Sequence, residues 1–241
     1  MLVWLCVLLA AASTCEAELQ AVREASERFE SERAKLGPGS APLEMGPAAR
    51  ELERSAERFL RSCPAHPEQI SVRYSLGRLF YQHNRFEPAL AIFEQIISTS
   101  PEHPLAEYAA NLSLDVLHMQ GDLAGLERLL RRYQKNAALM RRRELRESLD
   151  KILPGVLLRR ADQELTAARE PGAVRKAAER FLAVADGFPA HPLADAALYN
   201  AALAFERAGD AGRARAARLR LLRSHPKSDL AARVRKQLGG E

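Results

Sequence analysis

The stretch that most constrains this fold covers residues 70–104, where two amphipathic helical patterns follow each other. A short polar turn joins the two patterns, and a proline ends the second one. Apolar residues recur in each half at the spacing of one helix face. Small residues, Gly77 in the first half and Ala89 in the second, would let the two helices approach closely. The pattern therefore predicts an antiparallel helical hairpin.

The composition of the whole chain also favours helices. The 241 residues are 47% apolar and 28% charged, which allows a substantial buried core. Alanine, leucine, arginine and glutamate dominate, and aromatic residues make up only 6%. We therefore expect an all-α fold. The net charge of +5 would permit contact with nucleic acid or anionic lipid, but arginine alternates with glutamate, as is typical of solvated helix surfaces.

Parts of the sequence resemble each other. Residues 56–67, AERFLRSCPAHP, recur as AERFLAVADGFPAHP at 178–192, and residues 103–114 are similar to residues 191–205. Each copy ends one predicted hairpin and begins the next. Because a single hairpin cannot bury its own apolar face, these segments predict a stack of several hairpins.

These hairpins resemble the tetratricopeptide repeat, a unit of about 34 residues. In three copies, the signature positions hold Leu76, Gly77, Phe80, Ala89, Phe93 and Pro101; Ala177, Phe181 and Pro189; and Phe205, Ala214 and Pro226. In the last copy, Arg218 stands where the family usually has phenylalanine. The resemblance implies an all-α, right-handed superhelical solenoid of helical hairpins.

Breaks in the helical pattern suggest how the chain is divided. Gly and Pro cluster between the first helix and the repeats, and the pair Pro154-Gly155 is expected to end a helix. The resulting hypothesis comprises a signal peptide at 1–17, an N-terminal helix at 18–36, a Gly/Pro linker at 37–47, a first repeat cluster at 48–136, a linking helix at 137–155 and a second repeat cluster at 156–241.

The N-terminus carries an apolar run at residues 1–12, MLVWLCVLLAAA. This run is shorter than the roughly 20 residues that a bilayer-spanning helix needs, and it is typical of a secretory signal peptide. Cleavage is expected after Ala17. Alternatively, Cys15 follows a weak lipobox and carries a lipid, or the run is an ordinary buried first helix. Cys15 and Cys63 are too few for a disulfide framework and lack metal-ligand spacing.

The motif Pro-x-His-Pro occurs at residues 64–67, 101–104 and 189–192. Regularly spaced histidines suggest a metal site, but each of these falls in a predicted turn whose second proline can open the next helix. Successive repeats would also hold the histidines about 10 Å apart, which is too far for a shared metal ligand. We therefore expect no metal.

Enzyme signatures are absent from the sequence. It contains no phosphate-binding glycine loop, no His-Glu-x-x-His, no Cys-x-x-Cys and no nucleophile elbow. Glutamate pairs such as Glu144 and Glu147 lie among arginines at helical spacing, which is typical of solvated ion pairs. The chain is therefore expected to catalyse nothing and to bind no cofactor.

The family resemblance also implies a binding surface. In tetratricopeptide proteins, the first helix of each hairpin lines a concave groove that receives an extended peptide or a partner helix. By position, the groove of this chain would present Tyr74, Arg78, Tyr81 and Gln82, then Asn111, Asp115 and His118, and finally Tyr199, Asn200, Leu203 and Glu206. Exposed tyrosine and arginine suit a binding surface, although for any one residue plain exposure is an equal alternative.

The last repeat and the apolar N-terminus together suggest a cellular role. Residues 194–231 resemble the periplasmic repeats that accompany outer-membrane assembly, the Tol-Pal system or motility complexes of bacteria. This implies an exported, non-catalytic scaffold in the periplasm or at the outer membrane that binds another protein and no nucleic acid. One alternative is an accessory module to a peptidoglycan-acting enzyme. Another is a cytoplasmic adaptor that binds nucleic acid through Arg213, Arg215, Arg218, Arg220 and Arg223.

Overall fold

Helices make up all the regular secondary structure in the computed structural model, which describes residues 2–35 and 44–238, with side chains for 14–35 and 44–237. This confirms the predicted all-α fold. The chain divides into two compact units, Met1–Gln120 and Gly121–Glu241. Most of the Gly/Pro linker expected at 37–47 lies outside the described residues. Among the described residues, none of the helices offers a stretch with the length and apolar character needed to cross a bilayer.

The first unit contains five described helices. They are α1 (Leu2–Ala34), α2 (Pro47–Ser62), α3 (Gln69–Gln82), α4 (Phe86–Thr99) and α5 (Pro104–Met119). Each helix packs on the next from α1 to α5, and α3 also contacts α5. This is the arrangement expected when the first helices of successive hairpins lie side by side.

Helix α1, which includes the predicted N-terminal helix, forms a hairpin with α2. Its apolar stripe is buried at Leu19, Val22, Ala25 and Phe29. The Phe29 ring also lies 6.0 Å from the ring of His83, at the end of α3. Helix α1 therefore occupies the position of a first hairpin helix, with α3 as its neighbour.

The central hairpin of α3 and α4 is packed around Gly77. A Cβ atom at this position would lie 2.6 Å from Cε1 of Phe93 and 3.0 Å from Cγ2 of Ile92. The other signature residues that were expected inside this hairpin are buried: Leu76, Phe80, Ala89 and Phe93. Close approach of the two helices therefore depends on the missing side chain, as the sequence predicted.

The second unit contains seven described helices. They are α6 (Leu123–Gln134), α7 (Ala137–Met140), α8 (Arg143–Ala167), α9 (Pro171–Gly187), α10 (Ala194–Arg207), α11 (Ala211–Ser224) and α12 (Asp229–Leu238). Its core holds Phe181 and Phe205 among small alanines. The signature residues Ala177 and Ala214 are also buried. Small residues around two large rings let α8, α9, α10 and α11 pack closely.

Helix α8 corrects the predicted break at Pro154-Gly155. The helix runs without interruption from Arg143 to Ala167, with Pro154 inside it. Leu149, Leu153 and Val156 are buried on both sides of the proline, so one apolar face continues through it. This packing outweighs the cost of an internal proline, about 3 kcal/mol. The helix that was expected to end at residue 155 therefore continues to Ala167, and the two compact units divide after Gln120.

Contacts within each unit repeat with the period of the sequence. Several side-chain hydrogen bonds between neighbouring hairpins join residues 33 or 34 positions apart: Tyr81 with Asp115, Glu127 with Arg160, Glu179 with Arg213, Asp186 with Arg220, and Asp195 with Ser228. This spacing matches the roughly 34-residue unit expected from the resemblance.

Candidate functional site

The candidate site is a polar and aromatic surface on α3 and α5, hereafter the α3–α5 face. It consists of Tyr74, Arg78, Tyr81 and Gln82 on α3 and of Tyr108, Asn111, Asp115 and His118 on α5. The spacing of three to four residues within each helix puts the members of each set on one side. Since α3 contacts α5, the structure brings these two predicted sets together.

Two side-chain contacts join the two helices across this face. At one end the ring centroids of Tyr74 and Tyr108 lie 6.4 Å apart in a tilted arrangement. At the other end the Tyr81 hydroxyl donates a hydrogen bond to the carboxylate of Asp115. These contacts restrict the rotamers of large side chains before any partner arrives, which lowers the entropy lost on binding.

The environment of Tyr81 keeps its hydroxyl protonated. Partial burial, followed by the hydrogen bond to Asp115, raises the pKa of Tyr81 to about 12. Burial also raises the pKa of Tyr74, although the nearby Arg78 guanidinium opposes this effect. Both tyrosines therefore remain neutral hydrogen-bonding groups at physiological pH.

Three side chains between and beside these contacts are exposed. Arg78 and Asn111 are exposed near the middle of the face, and Tyr108 is 57% exposed although it is a large aromatic residue. A guanidinium, an amide and an exposed phenol ring together offer directional hydrogen bonds and a large contact area. Arg78 and Gln82 also line a small cleft together with Glu30 of α1.

Tyr108 is the functional candidate that sequence reasoning missed. It lies three residues before Asn111, so the helical spacing that selected Asn111, Asp115 and His118 also includes it. The groove positions were taken from the family resemblance, and Tyr108 was not among them. In the structure α5 already begins at Pro104, which places Tyr108 in its second turn.

The predicted residues on α10 lie in the second unit. Tyr199 is half-buried against the core of that unit, whereas Leu203 is 39% exposed. The carboxylate of Glu206 accepts a hydrogen bond of 2.5 Å from Arg218 of α11, so it serves packing within its hairpin. Asn200 is half-buried beside them. Leu203 and Glu206 are the exposed members of this set.

The histidines of the Pro-x-His-Pro turns stabilise these turns, and His103 is also the N-cap residue of α5. Each uses Nδ1 to accept a hydrogen bond from the backbone N–H two residues later: His66 from Glu68 at 3.1 Å, His103 from Leu105 at 3.2 Å and His191 from Leu193 at 3.2 Å. In the next turn Ser228 does the same for Leu230. Across the described residues, no three His, Cys, Asp or Glu side chains gather in a way that could hold a metal ion.

In the structure Cys15 is bonded to another cysteine, whereas the lipidation hypothesis has it bonded to a lipid. Its sulfur forms a disulfide with Cys63, since α1 lies along α2 and brings the two Cα atoms to 5.7 Å. Cys63 is buried and ends α2. A lipidated cysteine has no thiol for this bond, and cleavage after Ala17 would remove Cys15. The disulfide is therefore an alternative to both, and lipidation and cleavage after Ala17 stay predictions. Sequence spacing gave no sign of it because the two cysteines are 48 residues apart.

The arginines of α11 are largely engaged within their own unit. Arg213 pairs with Glu179 and Asp210, and Arg220 pairs with Asp186. Hydrogen bonds from the backbone and side chain of Arg213 lower the pKa of Asp210, which caps α11. With Arg218 bound to Glu206, three of the five arginines have carboxylate partners. The remaining Arg215 and Arg223 are exposed but do not form an extended basic surface.

Comparison with known proteins agrees with this description of the hairpins. Residues 71–103 and 196–228 match the family model of the tetratricopeptide repeat. These segments coincide with the α3–α4 and α10–α11 hairpins, so both hairpins are similar to the tetratricopeptide repeat. None of the curated proteins matches the sequence.

Several solved structures are similar in fold. The MamA protein matches with a TM-score of 0.41 at 12% identity, over 90% of this chain and 94% of that one. A tetratricopeptide repeat protein from Parabacteroides merdae ATCC 43184 gives 0.41 at 13%, over 91% and 87%. The thermophilic tetratricopeptide repeat protein TTC0263 from Thermus thermophilus gives 0.35 at 17%, over 92% and 98%. The likeness concerns the fold alone.

Proposed function

We propose that the protein is a non-catalytic scaffold of the bacterial cell envelope that binds a peptide or a partner helix on the α3–α5 face. The observation that supports this proposal is the combination of an exposed Tyr108, fixed against Tyr74, with exposed Arg78 and Asn111 beside it. Exposed aromatic and arginine side chains dominate the binding energy of many interfaces.

The chemistry of the face favours a polar peptide with an apolar anchor. The Tyr74 and Tyr108 rings would pack against the anchor, and Asn111 would pair with backbone groups of an extended chain. Arg78 would favour an acidic side chain of the partner, since its fork of N–H donors matches a carboxylate. Asp115 is already satisfied by Tyr81 and contributes by holding that side chain in place.

The disulfide supports an exported location. Disulfides persist in oxidising compartments such as the bacterial periplasm and are rare in the cytosol. The bond also requires that Cys15 stays in the mature chain, so any signal peptide would be cleaved before Cys15. Peptide mapping of the native protein under non-reducing conditions tests this point. Free Cys15 and Cys63 thiols in a cytosolic fraction would contradict the exported location.

Photo-crosslinking tests the binding face directly. A photoreactive amino acid at Asn111 is expected to crosslink to the partner in living cells, because this residue is exposed at the centre of the face. The same group at Leu219, which is 39% exposed on α11, is the matched control and should give no crosslink to that partner. Equal crosslinking at both positions would contradict a specific α3–α5 face.

Substitution then tests the energetics. Tyr108→Ala with Arg78→Ala should weaken the crosslinked complex by about 2 kcal/mol or more, roughly thirtyfold, as for other interface anchors. The matched control on α11 is Leu219→Ala with Arg215→Ala, which should leave affinity unchanged. Circular dichroism should show native helicity for both double variants. Identification of the crosslinked protein separates a structural scaffold from an accessory module to a peptidoglycan-acting enzyme.

A further inference from the structure

The positive charge of this protein is concentrated in one segment of the second unit. Residues 127–147, hereafter the basic segment, contain eight arginine or lysine residues and three glutamates, a net charge of +5. The whole chain also has a net charge of +5, so the remaining residues are balanced. Such a concentration is an electrostatic feature of its own, separate from the arginines of α11 and from the α3–α5 face.

On α6 the basic residues form one exposed stripe. Arg128, Arg131, Arg132 and Lys135 recur at helical spacing and are exposed. The opposite side of α6 is buried through Leu126, Leu129, Leu130 and Tyr133. The stripe is therefore fixed toward solvent by the packing of the helix against α8.

The stripe continues across α7 to the beginning of α8. The short helix α7 packs on both α6 and α8, and Arg146 donates a hydrogen bond to the carbonyl of Met140 at its end. Arg142 and Arg143 occupy the N-cap and the first position of α8. Cations there oppose the helix dipole, so these arginines are unfavourable for the helix alone.

Some of these cations pair with carboxylates of the same unit. Glu127 is buried and accepts hydrogen bonds from Arg131 and Arg160. Burial alone would raise the pKa of Glu127, but these two hydrogen bonds outweigh it and lower the pKa. Arg143 pairs with Glu147, and both side chains stay exposed. Arg128 and Lys135 are exposed on the stripe.

We propose that the basic segment docks onto an anionic lipid surface. Its cations spread over two helices and a turn, which suits a wide charged surface rather than a pocket. Its one aromatic residue, Tyr133, is buried, so the segment lacks the exposed rings on which single-stranded nucleic acids stack. The choice of lipid over nucleic acid rests on the exported location proposed above, where nucleic acid is scarce.

This attachment is electrostatic and reversible. Each arginine or lysine near an anionic bilayer contributes about 1 kcal/mol, and added salt screens the attraction. The basic segment would hold the second unit at the membrane surface, while the α3–α5 face of the first unit binds the protein partner.

Vesicle co-sedimentation of the full chain tests the proposal. The chain should bind phosphatidylcholine vesicles that contain phosphatidylglycerol, and it should dissociate from them as the salt concentration is raised. It should not bind vesicles of phosphatidylcholine alone. The variant Arg128→Glu, Lys135→Glu, Arg143→Glu should bind at least roughly a hundredfold more weakly. The control Arg215→Glu, Arg223→Glu, Arg233→Glu makes the same change in net charge at exposed sites on α11 and α12 and should bind like the native chain.

The possible outcomes are distinct. Equal loss in both triple variants, or no binding of the native chain, would overturn a localised lipid site. Binding to labelled DNA or RNA in the same buffer without binding to vesicles would identify the segment as a nucleic-acid site instead. If circular dichroism shows that the charge-reversal variant is unfolded, Arg128→Gln with Lys135→Gln should still give a clear loss. Crosslinking from Asn111 should persist in the variants, which separates this test from the test of the α3–α5 face.

Discussion

The contact between Tyr81 and Asp115 is the clearest case in which one residue pair determines a measurable property. Burial and the hydrogen bond to the carboxylate favour the protonated phenol and raise the pKa of Tyr81 to about 12. A pKa above the usual value near 10 means that the stabilisation is complete below pH 10 and is lost as pH rises toward 12. The pair also joins α3 to α5, so its loss at high pH would loosen the proposed binding face.

Ultraviolet titration of the tyrosines measures this effect. We expect a late ionisation step near pH 12 that disappears in Tyr81→Phe. In Asp115→Asn the step should move toward the ordinary tyrosine value, because the charged acceptor is gone. Tyr199→Phe, in the second unit, is the control and should leave the late step in place. A late step that survives in Tyr81→Phe would show that another tyrosine carries it.

At the scale of elements, the α3–α4 hairpin is limited by the space at Gly77. Its Cβ would lie 2.6 Å from a ring atom of Phe93, which is closer than packed atoms allow. We expect Gly77→Val to destabilise the first unit by about 1–3 kcal/mol through overpacking. Chemical denaturation monitored by circular dichroism gives the free energy of unfolding.

Gly155 in α8 is the matched control for Gly77. A Cβ there would meet only Cδ1 of Leu193, at an ordinary contact distance of 3.7 Å. Gly155→Ala should therefore stabilise the second unit by up to about 1 kcal/mol, since alanine favours helix more than glycine does. If Gly77→Val were as well tolerated as this change, the assignment of a close helix contact at Gly77 would be wrong.

Helices were predicted correctly from the sequence where helical periodicity and the turn residues agreed. Leu76, Phe80, Ala89 and Phe93 combined helical spacing with a clear turn, and the hairpin they predicted is confirmed. The continuation of α8 through Pro154 was missed because local propensity disfavours proline inside a helix. Burial of Leu153 and Val156 in the core stabilises the helix across the proline. A local sequence pattern carries no information about this burial.

At the scale of the whole molecule, the Cys15–Cys63 disulfide ties α1 to α2 in the first unit. The bond closes a long loop, because the two residues are 48 positions apart, and such a bond stabilises a fold by about 4 kcal/mol in the chain-entropy estimate. Reduction, or Cys15→Ser with Cys63→Ser, should lower the unfolding temperature of the first unit. Calorimetry with and without reductant measures the change.

The second unit provides the internal control for the disulfide experiment. Its described residues contain no cysteine, so its unfolding transition should not move when reductant is added. A uniform shift of the whole unfolding curve would contradict separate unfolding of the two units.

The candidate site could be predicted from the sequence only in part. The α3 and α5 sets came from the resemblance, whereas the Tyr74–Tyr108 and Tyr81–Asp115 contacts required knowledge of which helices are neighbours.

The spacing of side-chain contacts by 33 or 34 residues has a consequence for how the chain acquires its structure. The bonds of Glu179 with Arg213 and of Asp195 with Ser228 close once about one further repeat is available. Even the hydrogen bond from Arg207 to the carbonyl of Leu165 spans only 42 residues. Short separations of this kind favour rapid folding. A chain that emerges from the ribosome N-terminus first can therefore fold hairpin by hairpin, with only the most recent repeat still exposed to proteases and misassembly.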